Sequence, residues 1–451
     1  MIPRTGALAR LLAGFSYLLG SAAIAVDQPT AIFHAHDESY KDVTAYVCRI
    51  ATQGYTHIQI APPQKSNEGP DWWNRYQPVD YLTIEGRGTA ADLKALTAKA
   101  HSCGVKVIAD VVFNHMSSNT KYAGFAFPGL KPEDFHPKCD INYNDGNTVS
   151  ERRCWLNGDL PDLDQTQSTV KDLQKAHLKL LVDNGVDGLR FDAAKHMDPK
   201  DVKAYIDYIN TITNGQSWNY LEVIDDNDTN AYMYTPIAAV TDFVLCEAMK
   251  DAFSFGGSLS SLRLPRAISD SRSVTFGINH DSDPETNPIF PKCQYKDRGD
   301  AVLASAYVLA RESGTPIILG KDNLRIAYLP IGVQFRAAMR ERQAAGRNTR
   351  ENVLAIGDTQ NMLVMERGSE GLFIVNKSAS AFDASVMDLT LTNLEGCYRE
   401  LRTNFTAAVE RRGSNKYITR WGTWQRGGMH VQGRDALYFV RVPFQECTNA
   451  D

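Results

Sequence analysis

Apolar residues in this chain recur every three to four positions in one kind of segment. In another kind they run nearly unbroken, and the two kinds alternate. Leu93, Leu96 and Ala100 make one stripe; Val170, Leu173, His177, Leu180 and Leu181 make a second. That period marks one face of an α-helix. Thr89 and Asp92 have the spacing of a capping box that opens such a helix. Glycines stand at the junctions, each leading into an apolar run: QGYTHIQIAPP from Gln53, CGVKVIADVVFNH from Cys103, NGVDGLRFDAA from Asn184 and SGTPIIL from Ser313. Glycine suits the left-handed position that closes a helix.

Helices alternating with apolar strands predict a parallel sheet covered on both faces. Strands are expected to begin near Ala31, Thr56, Val105, Asp187, Tyr220, Thr241, Ser273 and Thr315. Eight units match a closed barrel, whereas an open doubly wound sheet calls for a GxGxxG turn that does not follow the first strand. Between His115 and Ser168 the pattern gives way to Asn, Asp, Gly and Pro. A structureless loop of that length is out of character for a compact domain, so an inserted subdomain is expected there. From about Asn352 the chain reads as short strands: NVLAIGD, NMLVMERGS, GLFIVNKS, CYRELRT, FTAAVERRG and ALYFVRVPF. The fold class is therefore α/β: a (β/α)8 TIM barrel (26–115 and 169–351), an inserted subdomain after strand three (116–168) and a C-terminal all-β antiparallel domain (352–451).

The first 25 residues follow another rule. Arg4 and Arg10 precede an apolar stretch from Leu11 to Leu19, and Ala23-Ile24-Ala25 is a small-x-small cleavage site, which predicts a signal peptide and a secreted protein. That stretch falls short of the roughly 20 apolar residues that span a bilayer, and no later segment reaches it, so no membrane role is expected. Eight cysteines behind a signal peptide predict disulfides. Proximity suggests Cys139–Cys154 and Cys397–Cys447 and leaves the other four open. The absence of any CxxC pair argues against a cysteine zinc site. A net charge of -5 without a basic run argues against nucleic acid as a partner.

Active sites of such barrels lie at the C-terminal ends of the strands. Strand three ends in Asp110, Asn114 and His115, and strand four in Arg190, Asp192, Lys195 and His196. Strand five carries Glu222, and strand seven ends in Asn279, His280 and Asp281. Two facing carboxyl groups can hydrolyse a glycosidic bond, one as acid and the other as nucleophile or base. Arg190, on the same strand face as Asp192, would keep that carboxylate ionised. Glu222, between Leu221 and Val223, is expected in a more apolar setting that favours its protonated form. Trp72, Trp73, Tyr76 and Tyr81 after strand two offer faces on which sugars stack.

DVVFNH (Asp110–His115), GLRFDAAKH (Gly188–His196), the Glu222 strand and FGINHD (Phe276–Asp281) resemble, in order, the four signature regions of the α-amylase family of glycoside hydrolases. WWNRYQPVDY resembles the aromatic substrate loop of its animal-type members, and LPDLD (Leu160–Asp164) a further family segment. The resemblance implies endo-acting, retaining hydrolysis of α-1,4-glucans such as starch, glycogen and maltooligosaccharides by a monomeric enzyme. It implies Asp192 as nucleophile, Glu222 as general acid and then base, and Asp281 as the third carboxylate. Arg190 would hold the nucleophile, His115 and His280 would bond the central sugar, and Asp110 would play a supporting part. Trp72, Trp73, Tyr76 and Gln77 match contacts on one side of the scissile bond; Lys195, His196 and Ile224 match contacts on the leaving-group side.

The resemblance also implies a structural calcium between barrel and inserted subdomain. Asn114 and Asp162 would supply side chains, and Arg152 and His196 backbone carbonyls, to a cation that prefers oxygen. The spacing around Asp162 differs by one residue from the animal form. Animal-type members bind an activating chloride through an Arg, an Asn and a further basic residue. Arg190 and Asn279 match the first two. The third position falls near Ile317, where no Lys or Arg stands, so no chloride site is expected. The alternatives are a maltooligosaccharide-forming exo-enzyme or transglycosylase, and a non-catalytic glucan-binding protein. The second usually loses a carboxylate, and here all three are present.

Overall fold

In the computed structural model, which describes residues 28–119, 121, 124–354, 360–385, 391–422 and 428–448, eight parallel strands close into a barrel. The expected signal peptide lies outside the described residues. The barrel strands are β1 (Ile32–Ala35), β2 (His57–Ile60), β3 (Lys106–Val112), β4 (Gly188–Asp192), β5 (Tyr220–Leu221), β6 (Ala239–Thr241), β7 (Ser273–Thr275) and β8 (Thr315–Leu319). They neighbour one another in chain order, and β8 pairs with β1. All eight expected starts hold to within two residues; the sixth strand begins at Ala239, two residues before Thr241.

Helices α1 (Tyr40–Thr52), α2 (Ala90–Ser102), α3 (Ser168–Asp183) and α4 (Pro199–Ile212) follow the first four strands. The capping box at Thr89 and Asp92 forms with both of its hydrogen bonds. Gly185 closes α3 at φ +87°, and a Cβ there would come within 2.7 Å of the Thr97 hydroxyl. The fifth unit departs from the pattern: only a 3-10 turn, Ala231–Met233, lies between β5 and β6. Helices α5 (Phe243–Phe253) and α6 (Arg298–Ala310) follow β6 and β7, and α7 (Gly320–Arg325) and α8 (Tyr328–Ala344) follow β8. The aromatic stretch after β2 is more ordered than a loop. Gln64–Ser66 and Pro78–Ile84 pair antiparallel, and Trp72–Tyr76 forms a 3-10 turn between them.

Two motif glycines are there because backbones pass too close for a side chain. A Cβ on Gly188 would meet the Trp218 carbonyl at 2.1 Å, and one on Gly277 would meet the Ser305 amide at 2.3 Å. The first lets β4 lie against the segment entering β5, and the second lets the turn after β7 rest on α6.

All eight cysteines pair. Cys139–Cys154 and Cys397–Cys447 are as expected, and the pairs left open are Cys48–Cys103 and Cys246–Cys293. The last ties α5 to the segment after β7. The C-terminal part is a seven-stranded antiparallel sheet: β9 (Glu351–Val353), β10 (Met362–Arg367), β11 (Gly371–Asn376), β12 (Gly396–Glu400), β13 (Thr406–Arg412), β14 (Asn415–Trp421) and β15 (Asp435–Val442), in the order β9-β10-β11-β15-β12-β13-β14. A ribbon, Phe382–Ser385 with Gly428–Val431, accompanies it. The sheet is locked to the barrel by buried donors. Lys377 Nζ donates to the carbonyls of Ala252, Ser254 and Gly257 at 2.7–3.0 Å, and Tyr438 donates to Ala306 at 3.0 Å. This explains why nearly all of α6 is buried. Among the described residues no helix is long and apolar enough to cross a membrane.

Candidate active site

Barrel closure brings the C-terminal ends of β3, β4, β5 and β7 around one guanidinium. Arg190 Nη1 donates to Asp110 Oδ2 and to Asp192 Oδ1, each at 2.7 Å, and Nη2 lies 2.6 Å from Glu222 Oε1. Alternation along β4 puts Arg190 and Asp192 on one face, as their spacing of two requires. Glu222 Oε2 accepts the backbone N–H of Ala193 at 2.9 Å. Ala193 has the left-handed backbone (φ 47°, ψ 33°) that aims this N–H inward, an uncommon conformation for a residue with a Cβ. The expected apolar setting of Glu222 is therefore corrected. It lies just past the end of β5, and each of its oxygens faces a donor.

Four carboxyl groups, those of Asp110, Asp192, Glu222 and Asp281, share this one guanidinium. Burial pushes the Asp192 and Asp281 carboxyls up; Arg190 opposes both shifts, and the neighbouring carboxylates add to them. Asp110, fully buried, is raised to about 6, against the pull of Arg190. The Glu222 side chain beside Asp281 adds to the rise of the Asp281 carboxyl.

A cleft of about 1040 Å3 opens over Asp192, Glu222 and Asp281. Trp72, Trp73, Tyr76 and Gln77 line one part of it, with Trp73 43% exposed at the rim. Tyr76 donates to Asp110 Oδ2 at 2.9 Å and stacks on His280 at 5.4 Å; Gln77 Oε1 accepts from the Ser118 amide at 3.3 Å. His115 is anchored through Nε2 to the Tyr76 carbonyl at 3.0 Å. Lys195, His196 and Ile224 line another part. Lys195 bonds the Ile224 carbonyl at 3.2 Å and pairs with Asp226, and His196 Nδ1 donates to the Glu151 carbonyl at 2.8 Å. Arg190 lies beneath the carboxylates and does not line the cleft.

The expected metal ligands form a separate group. Asn114 Oδ1 and Asp162 Oδ1 are both buried and accept no hydrogen bond, although Asn114 and Asp162 interact with each other. Burial raises the Asp162 carboxyl to about 7, and His136, which bonds its other oxygen at 2.6 Å, opposes the shift. The Glu151 carbonyl on His196 brings the inserted backbone beside the turn that follows β4. The Arg152 guanidinium points to Asp198 at 3.2 Å.

Several cleft residues were missing from the sequence reading. The segment after β7 contributes Thr286 to Lys292, including the exposed Ile289, and the inserted region contributes Tyr143, whose ring lies 4.6 Å from Lys195 Nζ. His34 and His36, at the end of β1, meet His280 at ring distances of 5.1 and 4.6 Å. Their spacing of two at a strand end was the available signal.

A sequence profile described as "Alpha amylase, catalytic domain" matches residues 45–251. An α-amylase from Aeromonas hydrophila is 30% identical over an alignment of 424 residues covering 81% of this chain and 88% of the relative. One from Phaedon cochleariae is 30% identical over 317 residues, covering 64% of each. The crystal structure of wild-type α-amylase I from Eisenia fetida superposes with a TM-score of 0.74 at 21% identity, covering 90% of this chain and 98% of that one.

Proposed function

The chain belongs to the α-amylase family of glycoside hydrolases, and from that membership we propose that it is a secreted enzyme hydrolysing internal α-1,4 bonds of starch-like glucans with retention of configuration. The observation that carries this reading is the pairing of Asp192 and Glu222 on adjacent nitrogens of Arg190. Two carboxyl groups held side by side suit nucleophile and acid of a retaining pair, whereas an inverting pair needs room for water between them.

The steps follow from those positions. Glu222 gives its proton to the glycosidic oxygen while an Asp192 oxygen attacks the anomeric carbon, and the bond to the leaving glucan breaks. The product is a glycosyl ester on Asp192. Water then attacks that ester, Glu222 takes its proton, and the sugar leaves with its original configuration. Asp281, beside Glu222, receives sugar hydroxyls. Arg190 spreads one positive charge over both steps. His115 and His280 orient the central sugar, and Trp72, Trp73, Tyr76 and Gln77 bind one arm of the chain. Lys195, His196 and Ile224 meet the other arm.

A calcium ion fits the residues present: the unpartnered oxygens of Asn114 and Asp162 are the oxygen donors it takes. The carbonyls of His196 and Arg152 would complete that set. When bound, the ion supplies cross-linking charge between the inserted region and the barrel. A chloride is disfavoured at Arg190, whose two terminal nitrogens are engaged by carboxylates, and Ile317 is buried opposite Ile32. The four disulfides suit an extracellular protein, and no oligomeric partner is invoked.

Digestion of soluble starch, with products resolved over time, tests the reading. A mixed ladder of short maltooligosaccharides of retained anomeric configuration is expected. A single dominant product from the outset, or chains longer than those supplied, refutes endo-hydrolysis in favour of exo-action or transfer.

A further inference from the structure

Three imidazoles meet beside the carboxylate cluster, and the proposed hydrolysis uses only one of them. His34 lies in β1, His36 follows two residues later, and His280 comes from the segment after β7. One ring nitrogen from each lies within 4.8 Å of the others. Both ring nitrogens of His36, and Nδ1 of His280, are buried without a hydrogen-bond partner. Leaving three such nitrogens unsatisfied is unfavourable, which marks the cluster as able to accept a ligand. Burial lowers His36 to about 4 and holds His34 and His280 well below the ordinary range, so all three are neutral; His34 Nε2 lies 3.4 Å from the Gln59 amide nitrogen, a contact that an ion would displace.

Neutral imidazole is a ligand for zinc, copper and nickel, whereas calcium takes oxygen. Zinc–nitrogen bonds are about 2.0–2.1 Å, so modest ring rotation would close this set on an ion. The charges facing it are mixed. Arg190, Lys321 and Arg87 oppose a cation, while Asp37 near His36 and Asp281, 3.5 Å from His280 Nε2, favour one.

We propose that His34, His36 and His280 form a site for a borderline transition-metal ion such as zinc, which competes with the glucan for His280 and so inhibits hydrolysis. Three protein ligands leave a fourth position open, and here His280 lines the substrate cleft. Occupancy by metal and by sugar is then mutually exclusive.

The test uses the full chain in excess calcium, with cobalt(II) as optical probe and zinc as inhibitor. One equivalent of cobalt should give the visible bands of a tetrahedral nitrogen site, and zinc should inhibit competitively at micromolar concentration. His36→Phe and His34→Gln, each compared with its own uninhibited rate, should need at least tenfold more zinc and lose the cobalt bands. Wild-type protein without a stoichiometric cobalt signal overturns the proposal, and so do variants of native melting temperature that zinc inhibits unchanged. The cobalt signal needs no substrate, so it succeeds or fails independently of the endo-hydrolysis reading.

Discussion

Arg190 Nη2 lies 2.6 Å from Glu222 Oε1, while Nη1 of the same guanidinium bonds Asp192 at 2.7 Å. A planar fork spaces the two carboxyl groups, and a lysine ammonium cannot hold both in that geometry. Arg190→Lys is therefore expected to lower kcat by about 100-fold, the scale of loss that follows small misplacement of reacting groups. Steady-state kinetics on a chromogenic maltooligosaccharide checks this, and a variant within a fewfold of wild type removes the spacing role.

Asp192→Asn deletes the proposed oxygen nucleophile but keeps size and hydrogen bonding. Turnover should fall by about 10⁴-fold or more, as for other groups that form covalent intermediates. The melting temperature should hold or rise, because one of four crowded carboxylates is gone. Near-native activity would show that another group attacks the sugar.

The Asp110 carboxyl is raised to about 6 by burial, against an unfolded value of about 3.9. Between these values the native state holds a proton that the unfolded state has lost, so this group makes stability fall as pH rises through that window. Above about 6 its contribution is flat. Asp110→Asn removes the titration. Its melting temperature relative to wild type should therefore climb from pH 4 to pH 6 and level off beyond, and a parallel pair of pH profiles contradicts the assignment.

Chelation and dialysis, which would strip the proposed calcium, should lower the melting temperature, since an ion that binds only the native state stabilises it by mass action. Asn114→Ala should shrink that response. An identical melting profile before and after verified metal removal counts against the site.

Gly188→Ala places a methyl group 2.1 Å from the Trp218 carbonyl. Relief requires β4 to shift, at a cost of about 1–3 kcal/mol typical of overpacking. Because β4 carries Arg190 and Asp192, kcat should fall along with stability. Urea unfolding with parallel kinetics measures both.

The barrel was legible because its signal is local. Glycines at helix ends, the Thr89 cap and the apolar runs report short-range preferences that burial on both sheet faces reinforces. The fifth unit was not legible: the Asp- and Asn-rich stretch after Glu222 has no helical period, and a 3-10 turn suffices to carry the chain from β5 to β6. Strand β14, NKYITRW, was missed because its polar and apolar residues do not alternate, and it lies half-exposed at the sheet edge. The cysteines pair in chain order, Cys246–Cys293 included, but that this bridge joins α5 to the segment after β7 depends on how the two pack.

Residue type and spacing alone placed the barrel strands and put Arg190 and Asp192 on one face, with Asp192, Glu222 and Asp281 at or near strand ends. Only the closed barrel decided that Arg190 also reaches Glu222, that Ala193 turns its N–H onto that carboxylate, and that His34, His36 and His280 converge. The reason is physical. Side-chain periodicity is written in neighbouring residues, but distances between strand ends follow from how eight strands pair around a ring. No local pattern in the chain encodes that closure.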